Sequence, residues 1–163
     1  MKRILFLVLI SQVFFSYGQC QKINFEKIIF YASPCFGSCP VYHLELDSSK
    51  KIMLHAVDFM RPNISDTTKI GYFTGIADNS LFNRVINILT SAGIENLQSQ
   101  IDDITDIQDY TITIYYAGEK KQIKIRSLSA SKNMENLIST LLTICKNGKV
   151  QRTGKFHIEG DDD

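Results

Sequence analysis

Two cysteines separated by three residues, Cys35-Phe36-Gly37-Ser38-Cys39-Pro40, stand between two runs that both read as β-strand. That arrangement favours a small hairpin tip closed by a disulfide. It also fixes a register that can be tested against the rest of the pattern. If Cys35 opposes Cys39, then Ala32 opposes Tyr42, Phe30 opposes Leu44 and Ile28 opposes Leu46, which gathers a largely apolar set on one face. The other face receives Tyr31 with His43, Ile29 with Glu45, and Lys27 with Asp47 as a charge pair. A slip of one residue would exchange the faces and lose the charge pair, so the pattern supports the register independently of the sulfurs.

The same logic extends to a third strand. With Ser48-Ser49-Lys50 as the turn, Asp47 meets Lys51, Leu46 meets Ile52, Leu44 meets Leu54 and His43 meets His55. A fourth strand is expected from about Thr67 to Thr74, after a loop containing Arg61-Pro62-Asn63. Asp78-Asn79-Ser80 offers N-cap residues for a helix with Leu81, Phe82, Val85, Ile88, Leu89 and Ala92 at helical spacing, stopped by Gly93. A linker from Ile94 to Asp109 leads to a hairpin, Tyr110 to Arg126. Opposing Ala117 with Lys120 across a Gly118-Glu119 turn sets Ile114 against Ile123 and Ile112 against Ile125. A last helix is expected from Lys132 to Cys145, capped by Ser131. The predicted class is α+β: an antiparallel sheet in the order β-β-β-β-α-β-β-α with two helices packed on one face.

The ends have a different character. Residues 1–18 carry a basic start (Lys2, Arg3), an apolar run and small residues at Ser16 and Gly18, the layout of a signal peptide cleaved after Gly18. Residues 19–148 are expected to form a single domain, and residues 149–163 a polar, flexible C-terminal tail. Export predicts a periplasmic or extracellular location. Cys20, second in the mature chain, raises the alternative of a lipid anchor, although Gln19 precedes it where lipidation needs a small residue. Membrane association is expected only through that lipid or an uncleaved leader. With 18 basic and 17 acidic residues and a net charge of +1, no global field points to nucleic acid.

The chain contains 4 cysteines, which allow three pairings; Cys35 with Cys39 and Cys20 with Cys145 are favoured. A redox role for Cys35 and Cys39 competes with a structural staple, and the strand context favours the staple, because thioredoxin-type dithiols start a helix. His43 and His55, facing one another on neighbouring strands, are candidate zinc or copper ligands, with Tyr31 and Glu45 nearby and no firm third ligand. Asp102, Asp103, Asp106 and Asp109 raise calcium against a solvated linker, without the glycine-containing spacing of a calcium loop. Lys120, Lys121, Lys124 and Arg126 form a basic ribbon that reads as a soluble strand face. No nucleophile–base set, phosphate loop or metalloprotease motif is present, so no catalytic residue is assigned and no cofactor expected.

The run Ile28 to Asp47, with Cys35-x-Gly37-x-Cys39-Pro40-Val41-Tyr42 at its centre, resembles a family of uncharacterised exported bacterial proteins, a domain of unknown function with a Cys-x-Gly-x-Cys-Pro-x-Tyr signature. The likeness covers about Ile23 to Cys145. The chain departs from it at Ser48-Ser49-Lys50, where the family has a glycine turn, and Cys20 and Cys145 are not part of it. The resemblance implies export and fold and brings no catalytic residue. The leading functional expectation is a non-catalytic binding module of the bacterial cell envelope, contacting a protein, peptide or envelope component through the outer sheet face or the hairpin tip. The alternative is an envelope thiol–disulfide or metal-handling protein using Cys35 and Cys39 or His43 and His55.

Overall fold

A computed structural model of the chain describes residues 23–36, 39–57 and 69–161. The expected leader, Cys20 and the 61–63 loop lie outside these. Along the described chain come β1 (Phe25–Ala32), β2 (Val41–Asp47), β3 (Lys51–Val57), β4 (Gly71–Ile76), α1 (Asn79–Ala92), a 3-10 turn (Ile94–Asn96), β5 (Gln100–Ile101), β6 (Tyr110–Tyr116), β7 (Glu119–Arg126), α2 (Lys132–Asn147) and β8 (Lys149–Arg152). The strands form one sheet in the order β5-β7-β6-β1-β2-β3-β4-β8. The β5–β7 pair is parallel and the other neighbours are antiparallel.

The expected order β-β-β-β-α-β-β-α therefore lacked two strands. β5 spans 2 residues inside the predicted linker, too few for an alternating pattern to show. β8 lies in the predicted tail, where Val150 is its one apolar residue. It can approach β4 because position 75 is glycine: a Cβ there would overlap the Lys149 carbonyl.

Strands β1, β2 and β3 pair in the expected register, with Phe30 opposite Leu44, Tyr31 opposite His43 and His43 opposite His55. Lys27 faces Asp47 as expected, yet its ammonium bonds Glu45 at 3.0 Å. Asp47 is engaged by the turn instead, accepting from Ser49 N, Ser49 Oγ and Lys51 N. The β6–β7 register differs from expectation by two residues: Tyr116 faces Glu119, Ile112 faces Ile123, and the turn is Ala117-Gly118. Both turn residues have positive φ, 51° and 79°, the pattern of a type I′ turn. A two-residue shift preserves faces, so the inward isoleucines remain those expected.

Ile28, Phe30, Leu44, Leu46, Ile52, Ile112, Ile114 and Ile123 are fully buried on the inner face. They form one core cluster with Phe82, Val85 and Leu89 of α1 and Met134, Leu137, Leu141 and Ile144 of α2. Each such side chain contributes about 1.5–3 kcal/mol on leaving water. Asp78 caps α1 by accepting from Ser80 N, and Ser131 caps α2 by accepting from Met134 N. The second helix runs past its predicted end at Cys145 to Asn147, and Gly148 N closes it on Ile144 O.

Candidate functional site

Two parts of the molecule assemble polar and aromatic side chains beyond what the core requires. The first is the end of the sheet where β1 stops and β2 starts. Cys35 and Cys39 form a disulfide there, their Cα atoms 5.6 Å apart. Behind it lies a second clasp that sequence reasoning missed. Gln108 Nε2 donates to the carbonyls of Ser33 and Pro40, both at 2.8 Å, and so ties the two arms of the loop together. Ser33 N donates to Asp109 O and Asp109 N donates to Ser33 Oγ. The Asp109 carboxylate takes both Arg126 Nε, at 2.7 Å, and a second guanidinium nitrogen, at 2.6 Å. A polar residue just before a strand carries little local signal, which is why Gln108 was not singled out.

Apolar side chains are presented at the same end. Phe36 is 83 % exposed, Leu128 75 % and Ile101 61 %, three of the four large apolar residues exposed among the described residues. Register places them at the same end of the sheet: Ala32 faces Tyr110, Tyr110 faces Ile125, and Ile101 faces Arg126, two residues before Leu128. Two hollows open here, one of about 370 Å³ lined by Tyr110, Ile125, Leu128, Ile138 and Leu142, the other of about 170 Å³ lined by Tyr31, Asp109, Tyr110, Lys124 and Arg126. Tyr110 and Ile125 line both. Burial, and secondarily the Asp109 carboxylate, raises the Tyr31 phenol above its ordinary pKa.

The second part is the outer face of the sheet. One cross-strand row reads Lys124, Thr111, Tyr31, His43, His55, Tyr72 from β7 to β4. Its rings stack in sequence, with centroids 4.5 Å apart for Tyr31 and His43, 5.9 Å for His43 and His55, and 4.2 Å for His55 and Tyr72. The histidines oppose each other as expected, but they are not an open surface pair: His55 is 8 % exposed. Residues 153–161, expected as a flexible tail, cover them. Phe156 packs edge-on against Tyr72, and Ile158 is fully buried. Asp161 lies 2.9 Å from His55 Nδ1 and 3.5 Å from His43 Nε2. Glu159 accepts from Tyr115 Oη at 2.5 Å and from Lys120 Nζ at 2.7 Å. Those two bonds, Lys120 first, hold the Glu159 carboxyl below the usual range, and Glu159 in turn raises the Lys120 ammonium. The tail's two apolar residues, Phe156 and Ile158, were the available signal that it packs on something.

The remaining sequence candidates are dispersed. Glu45, placed near the histidines as a further ligand, is turned to Lys27. Asp109 is committed to Arg126, and among the described residues no group of three or more His, Cys, Asp or Glu is arranged to hold a metal ion. The basic ribbon is spread over separate partners, Lys120 on Glu159, Lys121 on the Glu95 carbonyl and Arg126 on Asp109. Cys145, expected to bridge to Cys20, is a free thiol in the core, because its helix turns it inward among apolar side chains. That burial pushes its pKa well above the ordinary thiol value.

Among curated proteins none matches this chain. A family model described as Domain of unknown function (DUF6438) matches residues 26–145, from the start of β1 almost to the end of α2, and includes the cystine hairpin and the ring row. The chain belongs to that family.

Proposed function

We propose that this chain is a non-catalytic binding module of the bacterial cell envelope that engages a protein, peptide or envelope component through the cystine-closed end of its sheet. The observation that carries this reading is the gathering of Phe36, Ile101 and Leu128 at one end of the fold, next to a loop held by both the disulfide and Gln108. Exposed aromatic and aliphatic anchors on a preorganised loop bind with less ordering cost than the same residues on a loose one. Of the two surfaces first considered, the outer sheet face is occupied by residues 153–161, whereas Phe36, Ile101 and Leu128 at this end are exposed. Export is supported by the leader-like first 18 residues and by a disulfide, which persists in oxidising compartments.

The test is photo-cross-linking in the native envelope with a photoreactive residue at position 36 or 128 and a control at Asn83 on the opposite, polar face of α1. Positions 36 and 128 should capture one common species that position 83 does not. The double substitution Phe36→Ser/Leu128→Ser should abolish that capture, read from a reporter at position 101, while leaving the melting temperature unchanged. Capture that survives the double substitution would remove this end from consideration.

A further inference from the structure

We propose that the outer face of the sheet is a second recognition surface, for an extended peptide segment of another protein with the pattern aromatic-x-aliphatic-acidic-x-acidic, and that residues 153–161 occupy it as a tethered competitor. This goes beyond the reading of the cystine end, which lies elsewhere on the molecule and is tested separately.

The chain's own segment shows which chemistry the face accepts. Phe156 takes the edge of the Tyr72 ring, Ile158 is fully buried, Glu159 meets Tyr115 and Lys120, and Asp161 meets the two imidazoles. Lys27 stands 4.0 Å from Glu159 as well. The face is thus a set of donors from five neighbouring strands, with a place between them where an aliphatic side chain is fully buried, complementary to two carboxylates at fixed spacing.

Three observations distinguish a displaceable occupant from an ordinary part of the core. The family match ends at Cys145, so the covering segment lies outside the matched domain while the ring row lies within it. Among the described residues, the segment's backbone is tied to the sheet at Thr153 N on Tyr72 O, while Asp161 N closes a turn on its own Ile158 O and the anchors named above are side chains. Gly154 precedes the anchors and Gly160 separates Glu159 from Asp161, and apart from chain neighbours no atom among the described residues lies within 4 Å of where a Cβ would stand at either; Gly160 also has φ of +84°. A short strap of this kind competes at an effective concentration on the order of millimolar, enough to exclude weak ligands and to yield to a tighter one.

The experiment uses the full chain and a labelled synthetic peptide copying residues 153–161, followed by fluorescence anisotropy. Ile158→Asp places a charge where the native side chain is fully buried and should expel the strap. This variant should bind the peptide saturably with one site per chain, and the parent should bind it at least tenfold more weakly. A peptide with both acidic residues changed to their amides should lose at least tenfold in affinity for the variant. If Ile158→Asp does not fold, as judged by its near-ultraviolet dichroism, the full chain carrying Glu159→Gln and Asp161→Asn takes its place, with the same expectation. The proposal is overturned if a folded variant binds the peptide no better than a scrambled one, or if the parent binds it as tightly as the variant. It is likewise overturned if the parent is a dimer that exchanges this segment, which would make the occupant a second copy rather than a partner.

Discussion

Glu159 and Asp161 both set a carboxylate on the outer face, yet their surroundings differ enough to separate their contributions. The Glu159 side chain is 48 % exposed, and its ion pair with Lys120 works against water and salt; such pairs contribute less than about 1 kcal/mol. The Asp161 side chain is 5 % exposed and is the hydrogen-bond partner of a buried imidazole. Replacing it with alanine leaves the His55 Nδ1 donor buried and unmatched, a loss of about 1–3 kcal/mol. Asp161→Ala should therefore lower the urea midpoint clearly and Glu159→Ala only slightly; equal shifts would mean the histidines find water. This pair of histidines was legible in the sequence because strand register alone opposes them. Asp161 was not, because it reaches His55 across a sequence separation of 106 and no local pattern announces it.

The two hairpins show how far alternation alone can specify an element. In β1–β2, the cystine fixes one pair, and each slip from that register would separate the sulfurs, so the reading and the structure coincide residue for residue. In β6–β7 the isoleucines recur at every second position on both strands, and a two-residue slip leaves all of them inward. What selects the register is then the turn. The chain adopts Ala117-Gly118 although alanine is a poor left-handed residue, and with Tyr116 facing Glu119 the turn places Gly118 N on the Glu26 carboxylate and Ala117 N on the Asn24 carbonyl. Ala117→Asn would supply the Asn-Gly pair that a type I′ turn prefers, and should raise stability by about 1 kcal/mol, seen as a higher denaturant midpoint with an unchanged slope. A lower midpoint would show that this turn is not the I′ type. The short strands β5 and β8 escaped notice for a different reason: each is specified by its neighbour's free edge, and β8 also by Gly75 making room, not by a pattern of its own.

For the molecule as a whole, the α+β class, both helices and their caps could be read from periodicity, because one continuous core demands that every element present an apolar face to it. Which cysteines pair could not be read to the same extent, since the thiol of Cys145 serves that core as a small apolar group. A thiol so placed reports on global opening: it is 7 % exposed and its thiolate is strongly disfavoured. Alkylation at Cys145, followed by peptide mass mapping, should be negligible under native conditions and should rise with denaturant in step with the loss of helical dichroism. Rapid native labelling would mean that the end of α2 opens on its own.

The central position of β1 has a consequence for how the chain is made. Of the described strands it is the earliest in the chain, and its two neighbours are β2, the next strand, and β6, which begins at Tyr110. During vectorial synthesis the first three strands can zip at once, but the other edge of β1 stays bare until most of the chain has followed. Through that interval the nascent protein exposes the backbone of what becomes the middle of its sheet, an edge suited to a neighbouring nascent chain. The two charges of β1, Glu26 and Lys27, stand at its start, so along Ile28 to Ala32 only timing keeps copies apart, and premature termination before β6 would release a fragment with a ready site for self-association.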